Sequence, residues 1–192
     1  MGNGNNGSKG GNLLSRVAYS FGNVGPSAFY NALSPHFIVY VTSSLFSGVD
    51  KSVATKLIGI ITGLVVVIRI AEIFIDPLLG NIIDNTNTKW GRFKPWQLIG
   101  GTVSAILLVL VYTGLFGLVN VNTTLFIVLF VITFIVLDVF YSLRDISYWG
   151  MIPALSSDSH ERSTYTALGS FGGSIGHNGL TIVGIPIGTY FS

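Results

Sequence analysis

The stretch "VVVIRIAEIFIDPLLG" fills residues 65–80 and has the apolar density of a membrane span, yet it carries Arg69, Glu72 and Asp76. A charge at the bilayer centre costs at least about 2.5 kcal/mol on insertion scales. On an α-helix the three charges fall at i, i+3 and i+7, a single stripe that Gly80 extends. Ile68, Ile70 and Phe74 mark an apolar face opposite. The same device recurs downstream in "DVFYSLRDISYW", residues 138–149. There Asp138, Tyr141, Ser142, Asp145 and Trp149 stand at i, i+3, i+4, i+7 and i+11. Two apolar segments each present a carboxylate stripe.

Composition says what surrounds them. The chain has 192 residues, 49% hydrophobic and 9% charged, against about 25% charged in an ordinary soluble domain. So few polar groups cannot cover a wetted surface, so the apolar exterior faces a lipid bilayer. The absence of Cys excludes disulfides and thiolate metal sites. A net charge of +2 gives no footprint for nucleic acid.

The opening "MGNGNNGSKGGN" is rich in Gly and Asn and has no apolar face, so residues 1–14 read as a disordered cytoplasmic tail. Asn6 stands where a myristoylation signal needs Ser or Thr. No apolar stretch with a small-residue cleavage site follows, which argues against a cleaved signal peptide. Five spans follow, near residues 16–42, 54–83, 96–118, 124–149 and 165–191. The first contains Asn23, Pro26, Asn31, Pro35 and His36 and reads as bent at proline. The fifth is rich in Gly and Ser, reads as broken near Pro186, and suits close helix approach. The fold class is therefore an all-α membrane protein.

Lys and Arg in short loops set orientation. Lys9, Arg16, Lys89, Arg92, Lys94 and Arg162 put the N terminus in the cytoplasm; Lys51 and Lys56 vote the other way. The expected localisation is multi-pass in the cell membrane. The odd span count and abrupt end suggest a fragment.

Carboxylates gathered in a membrane repel one another unless a cation joins them. One reading is a cation site, with Glu72, Asp76 and Asp145 around Na⁺ or H⁺. The other is an internal salt-bridge network, Arg69 with Glu72 and Arg144 with Asp145, that only fastens helices. Tyr141 and Trp149 serve either as an interfacial belt or as a stacking platform for a sugar ring. Sharing a face with Asp145 favours the platform. His36 beside Pro35 reads as a kink residue before a proton carrier. In "GSFGGSIGHNG", residues 169–179, Ser174 and His177 are one helical turn apart, but no activating partner or strand–turn context accompanies them. Close packing outweighs an intramembrane hydrolase there.

Longer motifs carry a resemblance. "RIAEIFIDPLLGNIIDNTNTKWGRFKPW" (69–96), "DVFYSLRDISYWGMIPALSSDSHER" (138–162) and "FIVYVTSSLF" (37–46) resemble the glycoside–pentoside–hexuronide cation symporters, of lactose and melibiose permease type. The resemblance implies a major-facilitator-type N-terminal helical bundle, here truncated at about five transmembrane helices and lacking its C-terminal bundle. It implies symport of a sugar with Na⁺ or H⁺ as coupling ion, no other cofactor and no enzyme activity. It places the cation at Glu72 and Asp76, with Na⁺ one possible occupant, and makes Asp145 the link to the sugar. It places the sugar against Tyr141, Ser142, Asp145 and Trp149, with Ser27 and Ser170 at two further sugar-binding positions. It makes Asp84, Lys89, Arg92 and Lys94 a gating latch between two spans, with helix-end charge and dipole contacts supplying the attraction.

Two positions depart from the family pattern. Ser27 in "GPSAFY" and Ser170 in "ALGSFGG" stand where galactoside carriers of this kind have an Asp and an Arg. Losing both leaves neither charge unpaired. It leaves galactoside specificity open and admits a pentoside. The competing function is a non-transporting half-carrier or regulatory fragment, since alternating access needs a second bundle.

Overall fold

The computed structural model describes residues 13–46 and 48–191, with side chains described through Val183 except at positions 34 and 35. Most of the tail expected over residues 1–14 lies outside these residues. Among the described residues the structure is helical with no strand. Three helices are long and apolar enough to cross a membrane: α4 (Lys51–Asp84), α5 (Lys94–Tyr112) and α7 (Thr123–Gly150), whose apolar run continues to Leu155.

The first span is divided. It runs as α1 (Leu13–Phe21), α2 (Val24–Asn31), a π-helical stretch over Ala32–His36, and α3 (Phe37–Ser43). The third span is shorter than its apolar composition predicts. It stops at Tyr112 because the backbone turns left-handed from Gly114 to Gly117, a single turn (α6) in which Leu115 and Phe116 also take positive φ. A short 3₁₀ turn over Leu118–Asn120 leads into α7. After α8 (Ile152–Leu155), α9 runs from Ser159 to Phe191 without interruption. The expected break near Pro186 does not occur, and α4 likewise passes through Pro77. Membrane helices tolerate proline where neighbours satisfy the freed backbone groups.

The chain forms two compact units, a terminal one (Met1–Ala28 with Met151–Ser192) and a central one (Phe29–Gly150). In the terminal unit α1 lies along α9. Gly172 allows it, since a Cβ there would run into the Ser20 carbonyl oxygen, and Gly176 likewise leaves room for the Val24 carbonyl at the start of α2. The Ser20 hydroxyl and Asn23 amide donate to the Leu168 and Gly169 carbonyls at 2.8 and 3.0 Å. Tyr19 meets Tyr165 edge to face, and Arg16 pairs with Glu161 at 3.3 Å.

In the central unit α5 and α4 both pack on α7. Phe126, Phe130 and Phe134 of α7 are almost fully buried with Phe37, Leu57 and Val111. Gly100 gives α5 its approach to α7, since a Cβ there would stand 2.6 Å from the Phe140 carbonyl oxygen. On α4, Ile70 and Phe74 are exposed, as a lipid-facing side requires, whereas Ile68 turns into the core. Ile68 continues the line of Leu57 and Ile61 at helical spacing, so it belongs to the inner face.

Candidate functional site

The charges of the opening stretch are drawn together in the central unit. Arg69 donates to Glu72, three residues along α4, at 2.6 Å. The same guanidinium nitrogen lies 3.9 Å from Asp138 of α7. Asp138 is 5% exposed, so its carboxyl is cut off from water and the Arg69 guanidinium is the cation facing it. One turn further along α4 stands Asp76, and Ser142 stands one turn beyond Asp138 on α7. Two carboxylate oxygens, Oδ1 of Asp76 and Oδ1 of Asp138, are buried without a hydrogen-bond partner among the described residues. Aligning two stripes across α4 and α7 thus sets one guanidinium against two acids, Glu72 and Asp138.

Asp145 lies a further turn along α7. Its carboxylate is 3.5 Å from Arg144, and Trp149 follows one turn later on the same helix. Arg144 is itself buried, its guanidinium 4.8 Å above the Tyr148 ring, which stands edge-on to Trp149. Both ion pairs of the network reading, Arg69–Glu72 and Arg144–Asp145, are therefore present. Among the described residues no three Asp, Glu or His side chains converge as a ready-made metal cluster. Glu72, Asp76 and Asp145 occupy successive parts of one polar seam.

Aromatic groups line the same seam. Tyr141 stacks on Phe29, with centroids 5.1 Å apart and planes 9° apart, and also against Tyr30 at 5.9 Å. The Arg69 guanidinium sits 5.5 Å over the Tyr30 ring. Spacing had put Asp138 on the α7 stripe but gave no sign that it meets Arg69. Phe29 and Tyr30 carried no signal, because aromatic residues in an apolar span are ordinary core material. Ser27 and Ser170 both belong to the terminal unit. The Ser27 hydroxyl crowds Gly173, and Ser170 is exposed, its carbonyl accepting from Ser174.

Between α4 and α5, Arg92 pairs with Asp84 at 3.4 Å, both largely exposed. Lys89 and Lys94 join no ion pair among the described residues. They line a cleft instead, with Trp90 and Leu98.

Known proteins place this arrangement. Residues 18–192 match the family model described as MFS/sugar transport protein. The chain is 58% identical over 180 residues to a lactose permease of Leuconostoc lactis, covering 94% of this chain and 28% of that protein. It is 40% identical over 177 residues to a raffinose carrier protein of Pediococcus pentosaceus, covering 92% and 28%. An isoprimeverose transporter of Lactiplantibacillus pentosus is 27% identical over 176 residues, covering 92% and 34%. The chain thus spans about 28% of the length of its more similar relatives. These relatives are carriers, which leaves the Ser174–His177 hydrolase reading without support. A match over most of the chain, an all-helical build and paired intramembrane charge stripes agree with the symporter resemblance of the motifs: the chain belongs to the MFS/sugar transport protein family.

Proposed function

We propose that this chain is the N-terminal, cation- and sugar-handling part of a cation-coupled sugar symporter in the cell membrane, with its N terminus in the cytoplasm. The carrying observation is the interleaving on α7. Asp138 faces the Arg69–Glu72 pair, Tyr141 one turn on stacks against Phe29 and Tyr30, and Asp145 a further turn on pairs with Arg144. A coupling ion, Na⁺ or H⁺, entering at Glu72 and Asp76 supplies the buried carboxylate oxygens with a partner. That changes the field at Asp145, whose carboxylate and Trp149 neighbour would hold sugar hydroxyls and a ring face. Linkage makes the effect reciprocal, so sugar tightens the ion by the same factor.

The names of the more similar relatives, lactose permease and raffinose carrier, favour a galactoside over a pentoside. With serines at positions 27 and 170, its recognition rests on the neutral and acidic groups of α7. The second bundle expected of the fold, absent from this chain, completes the transport path.

The test is uptake of labelled lactose, raffinose and a xyloside by a full-length carrier bearing this segment, under a Na⁺ gradient and, separately, a pH gradient. Saturable galactoside uptake driven by one gradient is the expected result. Asp76→Asn should keep sugar binding but lose its dependence on the driving cation. Uptake indifferent to both gradients, or a full cation response in Asp76→Asn, would refute the assignment.

A further inference from the structure

The loop joining α4 to α5 does more than pair Arg92 with Asp84. Between residues 84 and 98 Asp84 is the only acid, and Arg92 already holds it at 3.4 Å. Lys89 and Lys94 keep uncompensated charge on the walls of a cleft of about 420 Å³, whose other walls are Trp90 and Leu98. The loop has a fixed shape. The Thr88 hydroxyl donates to the Gly91 carbonyl at 2.6 Å and accepts from the Trp90 N–H at 3.3 Å. Gly91 has φ of 87°, a conformation other residues resist. The Trp96 indole donates to Thr86 at 2.9 Å, tying the loop to the first turn of α5.

Below the cleft the surface changes character. Leu98, Ile106 and Val109 lie along one side of α5 and are 58%, 58% and 60% exposed. Trp90, 66% exposed, stands at the boundary between this apolar track and the charged loop. An indole prefers that depth in a bilayer, with its ring in the headgroup region. A paired positive charge above and a hydrocarbon track below match one class of molecule, anionic at one end and aliphatic at the other.

We propose that the cleft of Lys89, Trp90, Lys94 and Leu98 binds the headgroup phosphate of an anionic glycerophospholipid, whose acyl chain then follows α5 over Leu98. The two ammonium groups supply point charges to the phosphate oxygens. Trp90 covers the glycerol level. A soluble phosphate would use the lysines but gain nothing from Leu98 or the track beneath it.

The purified chain, reconstituted in phosphatidylcholine vesicles, provides the test through tryptophan emission. Bromine-labelled phosphatidylglycerol is compared with equally labelled phosphatidylcholine at matched mole fractions. Phosphatidylglycerol should quench the Trp90-dependent emission at a roughly 30-fold lower mole fraction, about fivefold per lysine near an anionic headgroup. Trp90→Phe identifies that emission by removing it. Lys89→Gln with Lys94→Gln should abolish the preference, and each single change should weaken it about fivefold. Lys89→Arg with Lys94→Arg should restore most of it, which separates lost charge from lost fold. Equal quenching by the two lipids, or a preference that survives the double glutamine change, would overturn the proposal. Displacement by millimolar inorganic phosphate would also overturn it, by identifying a free-phosphate site.

Discussion

The terminal and central units meet the same requirement with opposite materials. Lipid tails are as apolar as leucine, so helices in a bilayer gain little from hydrophobicity when they associate and rely on contact and hydrogen bonding. The terminal unit achieves contact by removing side chains: Gly172 and Gly176 set α9 against the carbonyls of Ser20 and Val24. The central unit achieves it by filling space, with Phe126, Phe130 and Phe134 stacked along α7, and adds charges that must balance. One interface is limited by size, the other by electrostatic neutrality. They should therefore break under different substitutions.

The sharpest break belongs to the terminal unit. Gly176→Leu places atoms inside the Val24 carbonyl and should cost more than the roughly 1–3 kcal/mol of ordinary overpacking. Expected is loss of monodisperse protein in size-exclusion chromatography. Gly179→Ala is the control, since nothing lies within 4 Å of its Cβ position. If both variants behave alike, glycine contact is not what joins α9 to the start of α2.

Charge balance governs the next effect. Arg69→Gln leaves Glu72 and Asp138 facing each other without a cation, at a cost on the order of 2 kcal/mol for a partly exposed pair. Asp138→Asn in the same chain should recover part of that loss. A thermal-stability cycle over wild type, both single variants and the double variant measures the coupling. Strict additivity would show that Asp138 does not depend on Arg69.

Smaller effects sharpen the picture. In a full-length carrier, Trp149→Ala should weaken sugar affinity about fivefold through lost ring stacking and spare the cation response. Isothermal titration with and without the cation reads both, and unchanged affinity would make Trp149 an interfacial anchor. Within the central unit, Tyr112→Phe removes a hydrogen bond to the Ala32 carbonyl and should cost about 1 kcal/mol in thermal stability.

What the amino-acid order revealed follows from what is local. The Arg69–Glu72–Asp76 stripe and the Asp138–Trp149 stripe are matters of helical spacing, so they could be read directly. Which acid meets Arg69 depends on how α4 and α7 rotate against each other, and spacing carries no record of that. Asp138 was legible as a member of a stripe but not as a partner. Gly100 was equally silent, because a glycine in a span has many uses and only the Phe140 carbonyl shows which one applies. The third span's early end hid in "GLFG", residues 114–117, whose apolar letters mask a left-handed turn.

The π-helical stretch over Ala32–His36 has a consequence for how such chains diverge. A π turn closes its hydrogen bonds one residue later than an α turn, so it holds an extra residue without displacing the faces on either side. Here the Tyr112 hydroxyl, 2.6 Å from the Ala32 carbonyl oxygen, serves a backbone group at the start of the widened turn. Insertions and deletions of single residues, which would rotate a regular span by about 100° and turn its core side outward, can be absorbed at this point. Chain length can drift here while Phe37 and Val41 stay on the buried side.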